Sequence, residues 1–255
     1  MIDLRQFLPG IQLEYPSKKR VISSKIGRRD RQIARIEKRK PIKRFDIINY
    51  LIEYLDREVT YLEIGVRNPE SNFKKIRASK KYSVDPGLEH EINLADFKMT
   101  SDEFFSQLSG GKILDSNIEF DVIFIDGLHF AEQVDKDIEN SLKYLKEDGF
   151  VVLHDCNPPT EWHARENYDY IGTPGGTIWN GTTWKAFMKW RMNPSVYSCC
   201  IDTDWGVGVL SKEQKIGDGI TFDNPFFEYY KLSENRKEWL NLIQFDELKE
   251  LLPKP

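Results

Sequence analysis

With 255 residues, 40% of them hydrophobic and 31% charged, the chain is long enough to bury one full-sized core with appendages. No apolar run approaches the roughly 20 residues that cross a bilayer, and the opening MIDLRQFLPGIQLEYP lacks the basic-then-apolar layout of a secretory signal. The three cysteines, Cys156, Cys199 and Cys200, form no metal-ligand spacing and cannot all pair within the chain, which points to a reducing, cytoplasmic setting.

The net charge of −4 hides an asymmetry. Residues 16–44 hold thirteen Lys/Arg against two acids, Asp30 and Glu37, so the remainder is strongly acidic. Within this stretch, residues 24–40 (SKIGRRDRQIARIEKRK) carry Ile26, Ile33 and Ile36 as a sparse apolar stripe on a basic helix. Such a helix suits an electrostatic patch for RNA, anionic lipid or a negatively charged substrate. It equally suits a solvated arm, or one packed on the acidic remainder or on a second subunit. No RNA-binding signature accompanies the charge, which argues against a nucleic-acid partner. Residues 1–44 are therefore set apart as a basic extension, and residues 45–255 as the folded domain.

From residue 45 onward the pattern changes. FDIINYLIEYLD places Phe45, Ile48, Leu51, Ile52 and Leu55 on one helical face. Residues 60–64 read as a strand turning at Gly65, residues 73–77 as the start of a helix, and residues 81–84 as a second strand ending at Asp85. Residues 92–99 suggest a strand-containing connection. A helix capped by Ser101 follows through Phe104, Phe105 and Leu108 to Gly110-Gly111. Residues 121–125, short and β-branched, read as a strand buried on both faces. Ile138, Leu142 and Leu145 continue a helix to Asp148-Gly149, and residues 150–153 form the next strand. Strand, helix and strand in this span make a βαβ unit. Beyond it lie a Gly-, Pro- and Trp-rich loop (160–181) with His163, a helix (184–191), an antiparallel hairpin (196–201 and 206–210), and amphipathic helix broken near residues 233–235. The fold class is α/β: a Rossmann-like, doubly wound, seven-stranded, mostly parallel sheet with a C-terminal antiparallel hairpin.

In open α/β sheets ligands collect at the carboxyl ends of strands. Those ends carry Glu63, Gly65, Asp85, Asp126, His129, His154 and Asp155. Gly65 would let the backbone approach a ligand, and the helix expected after it would offer free N–H donors. Only one glycine of a G-x-G-x-x-G fingerprint is present. Asp85, 22 residues past Glu63, stands where an acid accepts hydrogen bonds from ribose hydroxyls. Taken singly, Gly65 is as readily a tight turn and Asp85 a cap before Pro86.

In combination, YLEIGV (61–66), YSVDP (82–86), KMTSDEFF (98–105), VIFIDGLH (122–129), GFVVLHDCNP (149–158), DTDWGVGV (202–209) and NRKEWLNLI (235–243) resemble class I S-adenosylmethionine-dependent methyltransferases. The likeness is greatest to the bacterial group found with glycosyltransferases in surface-polysaccharide gene sets. The resemblance implies that Glu63 and Gly65 hold the methionine and ribose end of S-adenosyl-L-methionine, Asp85 the ribose hydroxyls, Thr100, Ser101 and Asp102 the adenine, and Asp126 the cofactor's amino group. Arg67-Asn68-Pro69 stands where the family continues its glycine-rich turn.

The reaction so implied is O-methylation of a sugar hydroxyl in a glycan or glycoconjugate, with polysaccharide biosynthesis as its setting. The acceptor is then a glycan or small molecule. Proton removal needs a base near neutrality, and His154 and His129 are the candidates, with Asp126 beside them. A related group of sugar O-methyltransferases holds a divalent metal at these strand ends, and Asp126, His154 and Asp155 match those positions. His154 alternatively only caps the strand. His163 and His90 read as surface residues, His163 with a second option as part of a lid. Trp162, Tyr168, Tyr170, Trp179 and Trp184 offer stacking faces for a sugar, or serve the core. Long aromatic loops and the basic arm suggest a homodimer. The rival readings are methylation of RNA or a small metabolite, and a non-catalytic protein retaining the fold.

Overall fold

The computed structural model describes residues 21, 23–89, 92–168 and 172–254; His90, Tyr170 and the start of the basic arm lie outside them. In chain order the elements are α1 (Lys25–Arg39), α2 (Arg44–Tyr54), β1 (Thr60–Ile64), β2 (Lys80–Val84), α3 (Ser101–Ser109), β3 (Phe120–Ile125), α4 (Ala131–Lys143), β4 (Leu145–Leu153), α5 (Thr183–Arg191), β5 (Tyr197–Ile201), β6 (Val207–Ser211), α6 (Tyr229–Trp239), β7 (Leu242–Ile243) and α7 (Phe245–Leu251). The seven strands make one sheet in the order β2-β1-β3-β4-β6-β5-β7. β6 is antiparallel to both its neighbours and every other pairing is parallel.

Strand alternation divides the core into two layers. Leu62, Ile64, Ile123, Ile125, Val151 and Leu153 pack with Phe104 and Leu108 of α3, Ile138 of α4 and Phe187 of α5. Tyr61, Val122, Phe124, Phe150 and Val152 pack with Ile47, Ile48 and Leu51 of α2 and Leu248 of α7. Every residue of β3 is buried, as an apolar run between two helical layers demands. Among the described residues no helix is long and apolar enough to cross a membrane.

The structure corrects five local expectations. α4 stops at Lys143, and Leu145 opens β4 instead of closing the helix. The register passes from Phe120↔Leu145 to Val122↔Phe150, so Asp148-Gly149 belongs to a bulge opposite Asp121. A Cβ at Gly149 would stand 2.7 Å from the Asp121 carbonyl oxygen, which reserves the position for glycine. No α-helix follows β1; a 3-10 turn at Phe73–Lys75 takes its place. Its carbonyls are claimed by side chains: Lys81 Nζ donates to Phe73 O and Ile76 O, and Asn49 Nδ2 donates to Lys75 O. Thr100, not Ser101, caps α3, its hydroxyl accepting from Glu103 N at 3.2 Å. Residues 92–99 supply a single bridge, Phe97 to Val84, and the seventh strand is instead the two-residue β7.

The fifth correction concerns α1. Its buried face is Gly27, Asp30 and Ala34, while Ile26 and Ile36 are exposed. Two small residues let the helix approach the ends of the sheet closely. There Asp30 Oδ2 accepts from Thr160 Oγ1 at 3.0 Å, Glu37 Oε2 accepts from Trp205 N at 3.3 Å, and Lys40 donates to Asp202 at 2.9 Å. Polar contacts rather than the isoleucine stripe orient this helix.

At the opposite end of the sheet, Asp121 is fully buried and ties three segments together. It accepts from Arg57 Nε (2.8 Å), Lys146 Nζ (2.9 Å) and Thr60 N (2.8 Å). Hydrogen bonds to a charged group contribute about 1.5–3 kcal/mol each, and Arg57 and Lys146 regain water when the acid is removed. Asp121→Ala should therefore destabilise the fold by about 2–3 kcal/mol, read as a lower urea midpoint at unchanged slope.

Candidate active site

Backbone hydrogen bonds run past the strand ends in a staircase. Gly65 N donates to Val84 O (2.8 Å), Asp126 N to Ile64 O (2.9 Å) and His154 N to Ile125 O (3.1 Å). Between β1 and β3 the chain order reverses, one neighbour leading to β2 and the other to β4, so this is the switch point where a crevice opens. Gly65 has φ +89°, and a Cβ there would lie 2.3 Å from Asp126 O. The turn thus requires glycine on two counts. Above it opens a cleft of about 510 Å³, lined by Glu63, Gly65, Asp85, Thr100, Ser101, Asp102, Asp126, His129, His154 and Asp155 together. The residues expected from the sequence to hold the cofactor, the base or a metal all line this cleft.

In the half nearest β1 and β2, Glu63 is buried, and Tyr61 Oη (2.6 Å) and Asn72 Nδ2 (2.8 Å) both donate to its Oε2. Burial raises the Glu63 carboxyl to about 7 against the opposing pull of those two donors. Asn72 Oδ1 is buried without a partner. Asp85 accepts from Gly87 N through Oδ1 at 2.6 Å, closing a turn held by Asn93 Nδ2 on Asp85 O (2.7 Å). Across the cleft, Gln133 Nε2 donates to Ser101 Oγ (3.2 Å), Asp102 Oδ1 (3.0 Å) and Asp137 Oδ1 (3.1 Å). Burial raises Asp137 to about 6. These groups suit a nucleoside carrying an amino-acid tail: acceptors at Glu63 and Asp85 for ammonium and hydroxyl protons, an unpartnered amide oxygen, and a glycine that clears the backbone.

The other half is a compact charge cluster. His129 Nε2 lies 3.3 Å from Asp126 Oδ1 and its Nδ1 3.1 Å from Asp155 Oδ2. His154 Nδ1 lies 3.2 Å from Asp126 Oδ1 and 3.4 Å from Asp155 Oδ2. Burial would lower the His129 pKa, but Asp126 and Asp155 outweigh it and raise the imidazole. Burial would raise Asp126, but His154 and Arg44 hold it well below the usual carboxylate range. Asp155 has a left-handed backbone, φ 61°, a strained conformation of the kind that collects at functional sites. Asn180 Nδ2 fixes its carboxylate at 2.5 Å.

Two members of the cluster escape a sequence reading. Arg44, the first residue of α2, points into the cleft with Nη1 2.6 Å from His154 Nε2 and 3.4 Å from Asp126 Oδ2. Asp204, in the β5–β6 turn, accepts from Arg44 N at 3.2 Å and lies 3.6 Å from His154 Nε2. Burial would raise Asp204; His154 and Arg44 outweigh it and bring it to about 2. The turn is pinned to the end of β4 by Cys156 N on Gly206 O and Asn157 N on Trp205 O. Gly206, at φ +89°, leaves no room for a Cβ beside Asn157.

The loop after β4 is anchored. His163 is fully buried, with Nδ1 2.8 Å from Thr160 Oγ1 and its ring 5.7 Å from that of Trp205. Burial lowers its pKa to about 4, so it is a core residue and not a surface one. Trp184 is likewise core, which removes it from the stacking faces. Trp179 stacks on His129 (5.5 Å, 21°) and meets Tyr168 (5.5 Å) and Phe130 (5.4 Å), forming an aromatic rim beside the cluster.

Residues 56–156 match the model of a family described as a methyltransferase domain. None of the curated protein sequences compared with the chain matches it. Among solved structures, an O-methyltransferase from Bacillus cereus in complex with SAH is similar at TM-score 0.42 and 13% identity, covering 82% of this chain and 97% of that one. The methyltransferase MycE of the mycinamycin biosynthetic pathway, in complex with Mg, SAH and mycinamycin VI, is similar at TM-score 0.39 and 16% identity, covering 72% of this chain and 52% of that one. Likenesses this distant carry no argument about activity. The family match spans β1 to the end of β4, the segment that builds the cleft. On that match, the segment from β1 to the end of β4 is similar to a methyltransferase domain.

Proposed function

We propose that this protein O-methylates a hydroxyl of a sugar, in a glycan or a small glycoconjugate, with His129 as the general base. The observation that carries this reading is the position of His129. It lies on the wall of the cleft, aligned by two carboxylates and stacked under the aromatic rim. S-adenosylmethionine supplies a methyl group on a sulfonium. Glu63 and Asp85 would hold its amino-acid and ribose ends, and Thr100, Ser101 and Asp102 would flank its adenine. A hydroxyl that reaches His129 Nδ1, which has no hydrogen-bond partner among the described residues, gives up its proton to that nitrogen as its oxygen takes the methyl group and the methyl–sulfur bond breaks to release S-adenosylhomocysteine. Asp126 and Asp155 stabilise the imidazolium. Trp179 and Tyr168 offer the flat faces on which a pyranose packs. His154 is less accessible than His129 and is engaged by Arg44, so it serves to position the cluster.

Calorimetric titration with S-adenosylhomocysteine tests the cofactor half. The wild type should bind in the micromolar range. Asp85→Ala should lose at least tenfold, because a hydrogen bond to a charged group is worth about 1.5–3 kcal/mol and tenfold is about 1.4. Gly65→Ala should lose binding outright, since its Cβ would displace the Asp126 carbonyl.

The pH dependence has a definite sign. Glu63, at about 7, is largely protonated below that value and charged above it. If its carboxylate receives the ligand's ammonium group, binding releases a proton, so affinity should rise from pH 6 to pH 8. Glu63→Gln should bind more weakly and show a flatter profile; an unchanged slope in that variant would remove Glu63 from the ammonium site.

Transfer of a labelled methyl group to a panel of oligosaccharides and small hydroxylated metabolites tests the acceptor. His129→Ala should lower the rate by about 10²–10⁴ with S-adenosylhomocysteine binding retained. Methylation confined to non-sugar hydroxyls would refute the sugar reading and leave O-methylation standing.

A further inference from the structure

The strand-end cluster invites a divalent metal. One ligand atom each from Asp126, His154 and Asp155 lies within 4.8 Å of the others. Arg44 is at odds with it. Arginine only donates, so at 2.6 Å Nε2 of His154 must accept and the ring proton must sit on Nδ1, facing Asp126 and Asp155. A metal held between those carboxylates would need Nδ1 bare, which moves the proton to Nε2 and sets N–H against N–H at that 2.6 Å contact. In this arrangement the residues do not fit a metal.

We propose that Arg44 is the resident cation of this cluster, so that the site works without a divalent metal and accepts one only when the guanidinium is removed. The placement is built in three ways. Arg44 opens α2, whose first turn is fixed by Asp46 Oδ2 accepting from Lys43 N at 2.8 Å. Asp204 accepts from the Arg44 backbone and lies 3.9 Å from its guanidinium. Thr203 Oγ1 donates to Ile42 O at 2.7 Å, clamping the segment before the helix to the same turn. The guanidinium thus stands 3.4 Å from Asp126 as a fixed positive charge at the cleft wall. A bound hydroxyl there would meet the field a metal would otherwise supply, without a change of coordination during turnover.

The experiment is a titration of the purified full-length protein with Mn²⁺ alone, followed by the loss of the free-ion electron paramagnetic resonance signal. Wild type, Arg44→Lys, Arg44→Ala and Arg44→Met are compared. Arg44→Met keeps the apolar stem and approximate bulk, so one charge-free variant remains if the alanine variant does not fold; thermal melts report which are folded. Expected are millimolar or weaker binding by the wild type and by Arg44→Lys, and at least tenfold tighter binding by the charge-free variants. Wild-type binding as tight as theirs would overturn the proposal. So would a folded Arg44→Ala or Arg44→Met that gains no affinity, because Arg44 would then not be what excludes the ion. The readout needs neither acceptor nor methyl transfer, so it stands apart from the failure of the sugar reading.

Discussion

The structure depends on the close approach of β1 and β3 where the sheet reverses direction. Gly65 passes the Asp126 carbonyl at a distance that admits no side chain. That single contact brings Glu63 and Asp126 onto one wall. Successive strand ends then step outward, each donating a backbone N–H to the last residue of its neighbour, and the cleft follows the staircase. Its cofactor side and its acid–imidazole side are thereby held at a fixed separation by main-chain hydrogen bonds. Rigid scaffolding of this kind suits the methyl transfer proposed for this cleft, in which donor, acceptor oxygen and base must line up.

Charge is the second organising element. Asp126, Asp155 and Asp204 crowd around two imidazoles and a guanidinium, and burial strengthens every one of these interactions. Asp126 and Asp204 remain charged in spite of burial because Arg44 and His154 lie beside them. Glu63, with hydrogen bonds from neutral donors as its nearest support, is instead raised to about 7. Carboxylates on one wall thus have opposite tendencies: burial prevails at Glu63, and the charged neighbours prevail at Asp126 and Asp204. Pairs of groups driven apart in this way mark the division of labour in a site.

The N-terminal basic segment takes part in this charge balance. α1 lies over the strand ends through Asp30, Glu37 and Lys40, and the residues after it carry Arg44 into the cleft. Lys25, Arg28, Arg29, Arg35, Lys38 and Arg39 of α1, with Ile26 and Ile36, face outward. Its charge therefore has an inner and an outer use within one stretch, which is why composition describes it poorly.

Much of the fold was legible in the residues because hydrophobic period is a local property. The apolar run 122–125, the alternating layers around it, the hairpin at 196–210 and the break near Asn235 follow from patterns a few residues long. So did the candidate wall, since Glu63, Asp85, Asp126 and His154 each end a strand and strand ends converge in any parallel sheet. What tertiary structure alone decided was which side chains meet. Leu145 has the same hydrophobicity in a helix or a strand, and pairing with Phe120 chose the strand. His163 and Trp184 carry no local mark of burial and became core by position. Arg44 and Asp204, 160 residues apart, face one imidazole because a helix start and a hairpin turn close over the same sheet edge. Such pairings are set by long-range packing, and no short pattern in the chain records them.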